Sequence, residues 1–268
     1  MSALQTWWRN RWRTGHRPIR DGVTEWPTLV LLVQCYAVWA LGTTWAAQLW
    51  LPLGMMAVAV SAALHSSLSH EALHGHPFRS RFWNAVLVFP ALSVGVPYLR
   101  FRDTHLAHHR DEQLTDPYDD PETNYLDPAV WARLPGWWRA VLRGNNTLLG
   151  RMVLGPAIGT AAFVRGDWRL IRAGDSAVLR GWLWHLPALG LVLVWVGTVG
   201  RMPLWAWLLA SYGALSLLKI RTFLEHRAHA DAHGRTVVIE DRGPLALIFL
   251  NNNFHIVHHM HAQVPWYA

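Results

Sequence analysis

Two pairs of long apolar runs, each joined by a turn of a few residues, set the first limit on this chain. Residues 28–50, TLVLLVQCYAVWALGTTWAAQLW, pass through a Leu-Pro turn into residues 52–69. Residues 181–200, GWLWHLPALGLVLVWVGTVG, pass Arg201 into residues 203–219, PLWAWLLASYGALSLLK. A hydrocarbon core of about 30 Å needs about 20 apolar residues as helix. A soluble helical bundle is the competing reading, and two paired runs of this length weigh against it. Two shorter stretches read as interfacial or re-entrant segments. Residues 84–98 are broken by Pro90 and Pro97, and residues 148–164 by Gly150, Gly155, Pro156 and Gly159. The expected fold is an all-α integral membrane protein with about four transmembrane helices plus interfacial helices. A basic segment, 1–27, precedes a single membrane domain, 28–268.

Composition agrees. Hydrophobic residues make up 52% and charged residues 15%, where a soluble domain carries about a quarter charged. The 18 Trp suit membrane–water interfaces, where an apolar ring with a polar N–H is favoured. A net charge of +7 fits an anionic membrane surface better than nucleic acid, given the apolar runs. The single cysteine, Cys35, excludes a disulfide framework, a Cys-based zinc site and an internal iron–sulfur centre. The first 20 residues are basic and Trp-rich and read as no cleavable signal peptide. With four spans and a cytoplasmic N-terminus, Arg201 is the one basic residue outside and the other 23 of 24 face the cytoplasm, as the positive-inside rule requires.

The histidines fall into four clusters. HEALH holds His70 and His74, HLAHH holds His105, His108 and His109, EHRAH holds His226 and His229, and HIVHH holds His255, His258 and His259. All four land on the cytoplasmic side of a topology drawn without them. Side chains three and four apart share one helix face, so each cluster offers converging imidazoles. Neutral imidazole suits Fe, Zn and Cu. Eight or nine imidazoles exceed one metal's shell of about four to six ligands, so two metals fit better, in a His-rich cytoplasmic cap.

The set HxxxH, HxxHH and HxxHH on a four-span chain resembles the membrane fatty acid desaturase/hydroxylase superfamily, which includes acyl desaturases, alkane hydroxylases and carotenoid ketolases. HLAHHRDEQLTDPYDDPE resembles the second histidine box with its trailing Asp-Pro, RTFLEHRAH resembles the extra segment before the last box, and NNNFHIVHHMHAQVPWY resembles the desaturase ending. The resemblance implies a non-haem di-iron centre that uses O2 to attack unactivated C–H bonds of a lipid or other long apolar substrate. Its ligands would be His70, His74, His105, His108, His109, His255, His258 and His259, with His226 as the ninth. His229 is a ligand or proton donor by the same resemblance. Asn251 is placed to hold a water or orient a ligand, and Asp103, Asp116 and Glu225 are candidates to accept ligand N–H bonds. Val264-Pro265-Trp266 favours fatty acyl desaturation; the glutamate of HEALH and the run FLEHR are also similar to hydroxylases and ketolases, so hydroxylation or ketolation is the runner-up. Lacking a haem-binding or Cys-bearing domain, the chain needs a separate electron donor, a ferredoxin, rubredoxin or cytochrome. A His-rich metal transporter is a remoter reading, because transport places ionisable groups within spans and these spans carry almost none.

The remaining histidines read as standing outside the ligand set: His16 meets lipid headgroups or water, His185 is an interfacial side chain, and His65, His76, His233 and His261 are surface residues or supports to the ligands. His16 lies in the basic segment, His185 near a span end beside Trp182 and Trp184, and His65, His76, His233 and His261 off the box pattern.

Overall fold

The computed structural model describes residues 24–110, 114–229 and 234–268. In chain order the helices are α1 (Trp26–Leu49), α2 (Leu51–His74), α3 (Arg81–Leu87), α4 (Tyr98–His108), α5 (Pro128–Arg133), α6 (Gly136–Asn145), α7 (Leu148–Val153), α8 (Gly155–Arg172), α9 (Ser176–Thr198), α10 (Leu204–Leu224), α11 (Pro244–Ile248) and α12 (His255–Met260). Among the described residues the regular structure is all helical, with one isolated bridge between His226 and Thr236.

Helices α1, α2 and α9 are long and apolar enough to cross a membrane. The residues of the fourth expected span form a helix, α10, but it is not apolar enough to mark it as a span, and it carries Lys219 and Arg221 in its last two turns. It belongs to the core of the bundle. Ala206, Trp207, Ala210 and Ala214 are 0–3% exposed, and small side chains let α10 approach α2 closely, the usual basis of helix packing in lipid. α1 and α2 approach even closer at their shared turn. A Cβ on Gly54 would sit 2.7 Å from the Ala47 backbone and from the Gly42 carbonyl oxygen, so this position needs glycine.

The last turns of α1 widen into a π turn over Gly42–Ala46. Such a turn frees backbone carbonyls, and in hydrocarbon each must find a protein donor. The Thr43 carbonyl accepts from the Arg201 and Met202 amides at 2.8 and 3.1 Å, and its hydroxyl accepts from Trp195 Nε1 at 3.0 Å. The turn between α9 and α10 is thereby fastened to the end of α1, and the two apolar hairpins stand side by side.

The opposite end carries the shorter helices and all the histidine boxes. Pro52 starts α2, and Gly75, at φ 105°, closes it directly after His74 in the left-handed conformation glycine supplies cheaply. Asp175 caps α9 by accepting from the Ala177 and Val178 amides. α4 is clamped in place by a buried fork: Arg100 donates to both Asp167 oxygens at 2.8 Å, and Trp182 Nε1 donates to the same carboxylate at 2.8 Å. This clasp ties α4, α8 and α9 together.

Residues 84–98 were expected as an interfacial or re-entrant piece. They form the end of α3 and an irregular run to Tyr98. Span side chains catch its backbone: Tyr36 Oη donates to the Leu87 carbonyl at 2.7 Å and Trp39 Nε1 to the Leu92 carbonyl at 3.2 Å, while the Ala91 amide reaches the Ala188 carbonyl at 3.3 Å. Non-helical backbone at membrane depth is tolerated only with such partners. Residues 148–164 form α7 and the first half of α8, broken at Leu154.

Candidate metal centre

The ends of four elements supply the imidazoles. α2 contributes His70 and His74 from its last turns. α4 contributes His105 and His108, with His109 as its C-cap residue. His226 follows α10, held by the bridge to Thr236 and by the Arg227 amide on the Arg235 carbonyl. α12 contributes His255, His258 and His259. They converge as two groups. His70, His74, His105, His109 and His258 bring five nitrogens within 4.8 Å of one another, and His108, His226, His255 and His259 bring four. Every box residue and His226 is in one group or the other.

The spacing of the nitrogens fits a cation. Nε2 atoms are separated by 3.0 Å in His105–His109, His109–His258 and His108–His226, by 2.9 Å in His226–His255 and by 3.1 Å in His255–His259. Two nitrogens about 2.1 Å from one metal, at about 90° to each other, stand about 3.0 Å apart.

The other ring nitrogens fix the tautomers. His108 Nδ1 lies 2.7 Å from Asp120 Oδ1, His105 Nδ1 3.2 Å from both Glu122 oxygens, and His226 Nδ1 3.2 Å from the Arg235 carbonyl. His255 Nδ1 lies 3.3 Å from Asn252 Oδ1, whose amide is oriented by donating from Nδ2 to Glu225 Oε1 at 2.8 Å. All these partners accept, so each Nδ1 donates and each neutral ring leaves Nε2 bare. Bare nitrogens of His108, His226 and His255 therefore face one another at 3.0 and 2.9 Å. Lone pairs at that distance repel, and a shared cation removes the conflict. Among the described residues Nε2 of His70 and of His74 is buried with no hydrogen-bond partner, a costly state that metal ligation would relieve.

Electrostatics of the site point the same way for its shifted rings other than His108. Burial first, then repulsion from close imidazoles, holds His109 down at about 3, His226 at about 4 and His259 at about 2. The same causes hold His255 and His258 well below the usual range. Burial also pulls on His108, but the bond to Asp120 and the nearby carboxylate charges outweigh it and raise that ring. Burial likewise favours a protonated Asp120, and the His108 bond overcomes it and lowers the carboxyl. Rings that stay neutral keep their lone pairs available.

The other expected site residues scatter. Glu225 is 7% exposed and lies 3.6 Å from His255 Nδ1, 2.8 Å from Arg221 Nε and within the Asn252 bond. Asp103 pairs instead with Arg102 at 2.8 Å, and Asp116 accepts from the Tyr118 and Asp119 amides to close a loop turn. Among the described residues neither bonds an imidazole. Asn251 points away, donating to the Trp266 carbonyl at 2.8 Å. His229 is exposed, outside both groups, and its carbonyl accepts from Arg235 Nε at 2.9 Å. His76 is buried against Glu25 at 2.7 Å, while His16 and His233 lie outside the described residues. The sequence reading missed Asp120, Glu122, Asn252 and the Arg235 carbonyl as ring partners. Asp120 and Glu122 sit 12 and 17 residues beyond their histidines, and only the loop's path selects them from the surrounding acids.

The sequence model for fatty acid desaturases matches residues 43–268, which hold all nine clustered histidines. The chain belongs to the fatty acid desaturase family. It is also 26% identical over 226 residues to a beta-carotene ketolase from Paracoccus sp. (strain N81106 / MBIC 01143), a match covering 81% of this chain and 73% of that protein. Family membership makes it an oxidoreductase and makes a metal site the natural reading of the two histidine groups.

A cavity of about 1020 Å³ opens onto the two histidine groups. Its lining includes His105, His226 and His255, and apolar side chains such as Val88, Phe89, Leu92, Ala188 and Leu191. His105 belongs to the five-histidine group and the other two to the four-histidine group, so the cavity meets both.

Proposed function

We propose that this protein binds two iron ions, one in each histidine group, and with O2 as co-substrate oxidises an unactivated C–H bond of a long apolar lipid, most simply by fatty acyl desaturation. The observation that carries this reading is the large, mostly apolar cavity lined in part by histidines of both groups. The iron pair supplies the oxidising chemistry when bound. The chain supplies the rest. Nine imidazoles fix where the metals sit. Asp120, Glu122, the Arg235 carbonyl and Asn252 hold ring nitrogens in the ligating tautomer, a function such outer partners commonly serve. The cavity walls exclude water and decide which carbon reaches the imidazoles.

C–H hydroxylation or ketolation is the second reading, and the match to the Paracoccus ketolase favours it. The two outcomes differ in whether a second hydrogen is removed or oxygen is added, and the same ligands serve both. The membrane orientation with histidines on the cytoplasmic side rests on the basic residues, and from there a separate ferredoxin, rubredoxin or cytochrome supplies electrons.

The test is lipid analysis of cells with and without the protein, paired with metal analysis of purified active protein. New double bonds support desaturation, and new hydroxyl or keto groups support the second reading. Active protein holding one zinc and no iron would overturn both.

A further inference from the structure

The apolar cavity is not apolar throughout. Ala62, His65, Ser66 and Ser69 of α2 all line it, at the spacing that places them on one helical stripe. From α9 His185 reaches the same cavity, 8% exposed and set edge-on to Trp182. A plain alkyl chain gains nothing from such groups, because burying a polar nitrogen against methylenes without a partner costs free energy. The sequence reading made His185 an interfacial side chain and His65 a surface residue or support to the ligands, yet neither ring is fully used by the protein among the described residues.

The hydrogen bonds around His65 define what it offers. Tyr36 Oη lies 2.7 Å from the Leu87 carbonyl, so its one proton points there. The same oxygen lies 3.1 Å from His65 Nε2, and with its proton committed it can only accept. His65 Nε2 therefore carries the hydrogen in the neutral ring, and Nδ1 is a bare acceptor. No side-chain or backbone donor takes up that nitrogen among the described residues, and the residue faces the cavity. Ser69, on the same stripe, is spent on the His65 carbonyl at 2.8 Å, whereas the side chains of Ser66 and His185 make no hydrogen bond among the described residues.

We propose that the cavity recognises a substrate bearing a hydroxyl group remote from the carbon being oxidised, with His65 Nδ1 accepting the hydroxyl hydrogen. A hydroxyl suits this wall because it donates to His65 and still accepts from Ser66 or His185. The proposal rests on the reading of this cavity as the substrate site, and it narrows the substrate from any long apolar molecule to an oxygen-bearing one. Tyr36 is a positioning residue, since it sets the His65 tautomer without touching the substrate.

Equilibrium binding of tritiated probes to the detergent-solubilised, metal-loaded protein tests this without any turnover. The probes are octadecanoate with its monohydroxy positional isomers, and an apolar polyene with and without a ring hydroxyl. One hydrogen bond made to a group otherwise left unpaired is worth about tenfold in affinity. The wild type is expected to bind at least one hydroxylated probe about tenfold more tightly than its parent, and His65→Leu to bind the two alike. Tyr36→Phe releases the ring to either tautomer and is expected to narrow the preference, which keeps the test decisive where His65→Leu fails to fold. A wild type that binds every hydroxylated probe no better than its parent overturns the proposal, as does a preference that survives both substitutions. Iron content and product analysis report separately on the metal reading, so failure of one is distinguishable from failure of the other.

Discussion

Asp120→Asn tests how the four-histidine group is held. Asp120 is 4% exposed. Its Oδ1 meets His108 Nδ1 at 2.7 Å and the Glu122 amide at 2.9 Å, and its Oδ2 accepts from the Thr115 amide at 2.9 Å. Thr115 itself sits at φ 70°, a strained conformation for a β-branched residue that this bond helps to hold. Asparagine has almost the same shape but one acceptor oxygen. With that oxygen turned to His108, its NH2 confronts the Thr115 N–H, donor against donor. With the amide reversed, NH2 confronts His108 Nδ1–H and the Glu122 N–H, which is worse. Hydrogen bonds to a charged group contribute about 1.5–3 kcal/mol each, so loss of one and weakening of the others costs about 2–4 kcal/mol of stability. Loss of an outer carboxylate partner lowers metal affinity about 10–100-fold, or about 1.4–2.7 kcal/mol. The loss falls on the group that contains His108, because among the described residues Asp120 bonds no ring of the five-histidine group. Purified protein dialysed against graded chelator and assayed for iron reads this directly. The wild type is expected to hold two irons until high chelator, while the variant sheds one of them at about 10–100-fold lower chelator. Asp116→Asn, which alters only a loop turn, is expected to track the wild type. If Asp120→Asn loses both irons together, or neither, the assignment of Asp120 to one group is wrong.

His226→Ala is expected to lower iron content toward one per chain and abolish turnover, whereas His229→Ala keeps both irons; the reverse pattern by metal analysis would exchange their roles. Asp167→Asn leaves the Arg100 guanidinium buried without its counter-charge, and breaking such a pair costs about 3–5 kcal/mol, so the thermal midpoint should fall clearly while Asp175→Asn, at an exposed helix cap, changes it less. The metal-free protein is expected to lose stability as pH falls from 7 to 5. His109, His226 and His259 stay neutral when folded, with values near 3, 4 and 2, but take up protons near 6.5 when unfolded, so the unfolded state binds more protons and each contributes at most about 1.4 kcal/mol per pH unit below that point. His108, raised by Asp120, opposes this in part; a thermal midpoint that rises on acidification would refute the balance.

The sequence by itself determined the helical class and the identity of the converging histidines. A helix in hydrocarbon satisfies its own backbone, so apolar length alone marks α1, α2 and α9, and spacings of three and four put His70 with His74 and His105 with His109 on shared faces whatever else the chain does. His226 was also legible, because its surroundings match a segment that precedes the last box. Tertiary structure decided everything that depends on where a loop travels. It split the nine imidazoles into groups of five and four, separating His108 from its neighbour His109 and His258 from His259, because adjacent residues on a helix point about 100° apart and face different partners. It chose Asp120 and Glu122 over Asp103 and Asp116, since a carboxylate reaches a ring nitrogen only if the chain turns back toward it. It also turned His65 from an off-pattern histidine into a cavity wall, a role set by Tyr36 on another helix and by the Leu87 carbonyl on a third, which no spacing within α2 encodes.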